Sequence, residues 1–78
     1  MSQGTVESGL LEVFAAVLGH PVQIDATRAH EAGWDSLKHM LIVFAVEEKF
    51  GVQLTEEEMG SVASFADFAE LLERRHAS

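Results

Sequence analysis

Asp35-Ser36 is the pair best placed to do chemistry in this chain. The two residues close a long polar stretch and stand directly before an apolar helical run. Ser36 therefore falls at the mouth of a helix, where the first backbone N–H groups have no partner within the helix. A hydroxyl there is exposed, and a phosphodiester built on it sits in the favourable field of the helix N-terminus. The position suits a serine that carries a covalent phosphate-linked group. Capping alone also accounts for an Asp-Ser pair before a helix, so physics permits the modification without requiring it. The four histidines, His20, His30, His39 and His76, are scattered. Their spacing matches no metal motif, and His39 reads as a surface helix residue. None is placed as a base for Ser36, and a hydrolase needs both a base and a group that orients it. Without cysteine the chain has no thiol of its own, no disulfide and no zinc–thiolate site.

The elements that position Ser36 are helical. Val6, Leu10, Val13, Phe14 and Val17 make one apolar face and predict a first helix from about Val6 to Leu18, with Thr5 as N-cap. Gly19 and Pro21 end it. The connection from Gly19 to Trp34 is long for a helix–helix link, with Val22, Ile24 and Trp34 as its expected anchors and one loose turn at Arg28-Ala29-His30. A second helix is predicted from Ser36 to about Phe50, capped by Asp35 and closed by Gly51. It is apolar on two sides: Ile42, Val43, Val46 and Phe50 form one stripe, and Leu37, Met40, Leu41 and Phe44 the other. A domain this small cannot bury both equally, so one is a contact surface. Thr55 and Glu58 have capping-box spacing and mark a short third helix to about Gly60. Ser64 caps a fourth to about Arg75, with Phe65, Phe68, Ala69 and Leu72 facing inward and Arg74 and Arg75 near the negative end of its dipole. The predicted fold is an all-α four-helix bundle, three longer helices and one short, with a long first loop and a single domain over residues 1–78.

The bulk numbers narrow the function. At 78 residues the chain is short for a deep cleft with its own supporting shell. An apolar fraction of 47% with 23% charged residues fits a folded domain. The net charge of −8 repels nucleic acid and anionic membranes and attracts basic patches on proteins. No apolar stretch approaches about 18 residues, so no membrane span is expected. Met1-Ser2-Gln3-Gly4 lacks the basic and apolar regions of a signal peptide, which makes the cytoplasm the expected location.

Gly33-Trp34-Asp35-Ser36-Leu37 resembles the Gly-x-Asp-Ser-Leu motif of the acyl carrier protein family. The run from Val43 to Val52, with its acidic pair Glu47-Glu48 before Phe50-Gly51, is similar to the family's second helix, and the resemblance extends from about Val6 to Arg75. It implies the acyl-carrier fold and a carrier rather than an enzyme. Ser36 would be the attachment serine for 4′-phosphopantetheine, moved from coenzyme A by a separate, magnesium-using phosphopantetheinyl transferase. The thiol of that arm would hold an acyl group as a thioester, which fits a chain without cysteine. Asp35 would combine its capping role with contact to the transferase. Leu37 and Phe44 would lie on the outward, partner-binding face, with Met40 and Leu41 on the same stripe. Glu47 and Glu48 would pair with Arg or Lys on acyl-loading and acyl-transferring enzymes, steering approach more than adding affinity. For Glu56, Glu57 and Glu58 the first-turn helix role is favoured.

The departures from the family pattern are also informative. Trp34 replaces the small residue common in fatty-acid carriers, and Trp-Asp-Ser-Leu resembles stand-alone carriers of specialised pathways such as polyketide biosynthesis. Lys38 and Leu41 stand where fatty-acid carriers often have acidic residues, which implies dedicated partners and a more apolar docking surface. Arg28 and Ala32 stand at the family's apolar loop anchors, so a loosely packed, mobile loop is expected. A monomer is expected. Two alternatives stay open: an aminoacyl or peptidyl carrier of a nonribosomal pathway, and an unmodified helical adaptor for a basic partner.

Overall fold

The computed structural model describes residues 2–77. Its helices are α1 (Ser2–Leu18), α2 (Ser36–Phe50), α3 (Glu56–Ser61) and α4 (Phe65–Ala77). Among the described residues there is no strand, only an isolated antiparallel bridge between Thr27 and Ser64. The expected all-α four-helix fold is the observed one. α1 begins at Ser2 rather than after Thr5, so Thr5 lies inside the helix. No proline stands before Val6, Gly4 is tolerated inside the helix, and a helix once nucleated propagates one bond per residue.

Helix α1 packs against both α2 and α4. Val6, Leu10, Val13 and Phe14 meet Ile42, Val43 and Val46 from α2 and Phe65, Phe68, Leu71 and Leu72 from α4 in one buried cluster. Phe14 is at its centre, 5.1 Å from Trp34, 5.3 Å from Phe65 and 5.7 Å from Phe68 between ring centroids. Val17 and Ala69, both expected inside, are only partly buried, and Leu71 joins the core beside the expected α4 face.

The predicted caps of α2 and α3 are present. Asp35 accepts from the Lys38 N–H at 2.9 Å, and Gly51, at φ 68°, donates to the Glu47 carbonyl. Thr55 and Glu58 form the reciprocal capping box. α3 buries none of its own residues; Leu54 and Val62 on either side of it enter the core instead.

The long loop departs from expectation. Ile24 is 54% exposed and is no anchor, whereas Ala26 and Trp34 are buried and Val22 is partly buried. Nor is the loop detached. Arg28 N–H donates to the Ala63 carbonyl and Phe65 N–H donates to the Ala26 carbonyl, each at 2.9 Å. These bonds fasten it to the α3–α4 connection and do the work expected of apolar anchors. The turn after Thr27 is present, with the His30 and Glu31 N–H groups donating to the Thr27 carbonyl.

Arg75 acts across the fold more than along its own helix dipole. It donates to the Gln53 carbonyl at 2.9 Å and to the Glu58 carboxylate. The Arg75 hydrogen bond, helped by the Thr55 N–H, holds the Glu58 carboxyl below its ordinary range. A folded-state pKa below the unfolded one stabilises above the unfolded pKa and is lost as pH falls through the folded value. Glu58→Gln is therefore expected to lower the urea midpoint at pH 7 and to flatten its decline below about pH 5. Parallel acid-side curves for the two proteins would contradict this.

Candidate functional site

The site is built from Trp34 outward. Gly33 takes φ 89°, a conformation that strains any residue with a Cβ, and turns the chain so that Trp34 enters the core. The Trp34 ring meets Phe14 edge-on and lies nearly parallel to His39 at 6.0 Å. Its indole N–H donates to His39 Nδ1 at 3.1 Å. Indole nitrogen is only a donor, so Nδ1 is the acceptor and the His39 proton sits on Nε2. Nε2 then donates to the Met59 carbonyl at 2.8 Å, satisfying a carbonyl near the end of α3.

His39 is thus a buried strut between α2 and α3, not the surface residue expected from the sequence. Its signal was available: 39, 42, 43, 46 and 50 follow helical spacing along the buried stripe. Both ring nitrogens are engaged away from Ser36. His30 Nδ1 bonds to Thr27 Oγ1 at 2.9 Å, and His20 pairs with Glu31 at 3.2 Å. The His76 side chain lies outside those described. Among the described residues no cluster of His, Asp or Glu is arranged to hold a metal.

With Trp34 fixed inside, the next residues emerge at the surface. Asp35 is exposed and caps α2 through both its carboxylate and its carbonyl, which accepts from the His39 N–H at 2.8 Å. Ser36 is the first residue of α2 and is exposed. Lys38 N–H is taken by Asp35, so the first-turn N–H groups left to face a ligand are those of Ser36 and Leu37. Arg28 Nη2 donates to Ser36 Oγ at 3.2 Å. Lys38, next to the motif in sequence, sends its ammonium to the Val17 carbonyl at the C-terminal end of α1, 3.2 Å away.

The two stripes of α2 separate, with Phe50 at the end of the inner one only partly buried. Ile42, Val43 and Val46 are fully buried, while Leu37, Met40, Leu41 and Phe44 are exposed, Leu37 by 68% and Phe44 by 54%. Glu48 is exposed. Glu47 is half-buried and accepts the Leu54 N–H at 2.9 Å, so it also fastens the segment that follows α2.

An exposed serine at a helix start, beside unpaired N–H groups and a guanidinium, fits a covalently attached phosphate ester. The sequence model of the family described as "Phosphopantetheine attachment site" matches residues 8–72. This chain belongs to that phosphopantetheine-binding, acyl carrier family. It is similar to the acyl carrier protein of Acidothermus cellulolyticus, at 31% identity over 70 residues covering 86% of this chain and 83% of that protein. The carrier bears a covalent phosphopantetheine group; it is acted on by enzymes and is not one itself. That group supplies the thiol the chain lacks. Among the described residues no helix is long and apolar enough to cross a membrane.

Asp35 caps α2, and contact with the transferase is a separate expectation from the sequence. Asp35→Ala removes the cap and is expected to cost about 0.5–2 kcal/mol, whereas Asp35→Asn keeps a capping oxygen and costs less. If the carboxylate also contacts the transferase, both variants load slowly, and urea melts beside loading rates tell the two roles apart.

Proposed function

We propose that Ser36 is the attachment residue and that the carrier ferries acyl thioesters between enzymes of a specialised pathway, polyketide assembly being the leading case. The observation that carries the reading is the Ser36 hydroxyl: exposed at the first position of α2, within the stretch matched by the family, and touched by a guanidinium. Nearby, Leu37, Met40, Leu41 and Phe44 offer an apolar surface on the same helix for partner enzymes, and Glu48 with the outer part of Glu47 adds acidic contacts for basic docking patches. Exposed charges of this kind set approach and orientation more than affinity.

The specialised setting is supported by the side chains around the motif. Trp34 packs the loop into the core, and Leu41 presents an apolar group at a position where fatty-acid carriers often have an acid. A surface of this character favours dedicated partners over those of general fatty-acid synthesis. The reading is of a monomeric carrier working in the cytoplasm, where coenzyme A and a phosphopantetheinyl transferase are both at hand.

The test uses the purified chain with coenzyme A, magnesium and a broad-specificity transferase, followed by intact mass. The expected result is a gain of one phosphopantetheine, then acyl loading that hydroxylamine reverses. No gain with a transferase that loads a control carrier would favour an unmodified adaptor. Loading by amino-acid-activating enzymes alone would move the cargo to the aminoacyl class.

A further inference from the structure

Two cations stand near Ser36 in the sequence or the loop, and the structure distinguishes them. Lys38 is turned to the end of α1, where it meets the Val17 carbonyl. Arg28 is turned to Ser36, with Nη2 on Oγ at 3.2 Å. Its position does not depend on local loop preference, because the Arg28 backbone donates to Ala63 and Thr27 pairs with Ser64 across the chain. The guanidinium is therefore delivered to the mouth of α2 by a long-range fastening.

A guanidinium offers several N–H donors in one plane and matches the two free oxygens of a phosphodiester. One of those donors already lies on Oγ. The free oxygens of a phosphodiester on Oγ would be next in line for the remaining donors of the same guanidinium. The same ester adds a negative charge to a chain of net charge −8, and a fixed cation offsets it. Asp35, the nearest carboxylate in sequence, is turned to the Lys38 N–H.

We propose that Arg28 is the phosphate-binding residue of the loaded carrier, clamping the phosphodiester of the arm against the Ser36 and Leu37 N–H groups and tying the long loop to α2. The inference rests on Ser36 as the attachment site. It makes loading a structural event: the root of the arm is held, and loop and helix are bridged through the phosphate.

The experiment compares apo and loaded forms of the wild type, Arg28→Ala and Arg28→Lys, with intact mass recorded first. A wild type that gains no arm sinks the attachment reading, and this proposal with it, before any further measurement. In the loaded wild type the Arg28 side-chain 15N resonances are expected to shift and its Nε–H to exchange more slowly with water. The loaded form is expected to melt roughly 2–6 °C above the apo form at low salt, with the gap closing in about 1 M salt. Arg28→Ala, driven to full loading with excess transferase and checked by intact mass, is expected to lose that gap and displace the 31P resonance. Arg28→Lys should keep part of the gap, since it retains the charge without the fork. Unmoved Arg28 resonances on loading overturn the proposal, even if the alanine variant folds poorly. So does a gap and a 31P position that survive in a folded Arg28→Ala.

Discussion

Ser36→Ala is expected to abolish transfer of the phosphopantetheine arm, down to the background of a reaction without transferase, and to leave the fold intact. The two halves of this expectation have separate causes. With Ser36 as the proposed attachment residue, loading needs its oxygen nucleophile, and alanine removes it outright, so no conformational adjustment restores the reaction. Stability is spared because Ser36 is exposed and Asp35, not Ser36, caps α2. Alanine is a good residue for the first turn of a helix, and among the described residues the hydroxyl is held by the exposed contact with Arg28. The urea midpoint should therefore correspond to a change of no more than about 0.5 kcal/mol. Intact mass and a urea melt on the same preparation check both halves. A variant that still loads, or one that fails to fold, would contradict the assignment.

Phe14→Ala is expected to produce the largest loss of stability, about 3–5 kcal/mol. Phe14 is fully buried and its ring lies against Trp34, Phe65 and Phe68, so the cavity is lined by three large aromatics that cannot all collapse into it. A 78-residue domain has roughly 4–12 kcal/mol in total, so the variant is left marginal or unfolded at ambient temperature. The effect reaches the functional site through Trp34, whose packing on Phe14 fixes the turn that presents Asp35 and Ser36. Urea unfolding followed by circular dichroism gives the first quantity, and the loading rate of any folded fraction gives the second. An unchanged midpoint would mean that Phe14 does not organise the core.

The parts of the fold legible in the sequence are those governed by local rules. The ends of α2 were marked by Asp35 and Gly51 and the start of α3 by Thr55 with Glu58, because caps act over three or four residues. The division of α2 into a buried and an exposed stripe followed from counting apolar positions on so small a domain. What was missed depends on partners far along the chain. His39 was read by polarity, although it lies on the buried stripe. Its burial becomes tolerable only once Trp34 and the Met59 carbonyl arrive to occupy both nitrogens. Arg28 was visible as an oddity among expected loop anchors, but its direction comes from the bond to Ala63 and the bridge between Thr27 and Ser64. Hydrophobicity alone points to Ile24 as an anchor, but Ile24 is exposed and Ala26 holds that role through its backbone as much as its methyl group. Glu47 is expected from the family resemblance to face partner enzymes, and the Leu54 N–H that one of its oxygens accepts makes a bond that no local rule announces. The candidate serine stands out in the sequence because its context is local: a cap, a helix start and a family motif in five consecutive residues.

The most direct measurement is the location of the arm. The loaded protein is digested and the modified peptide sequenced by tandem mass spectrometry, with the phosphopantetheine fragment used to mark it. The expected result is a single modified peptide containing Trp34-Asp35-Ser36-Leu37, with the arm on Ser36. An arm found on Ser8, Ser61 or Ser64, or a protein that stays unmodified while a control carrier is fully loaded, would contradict it.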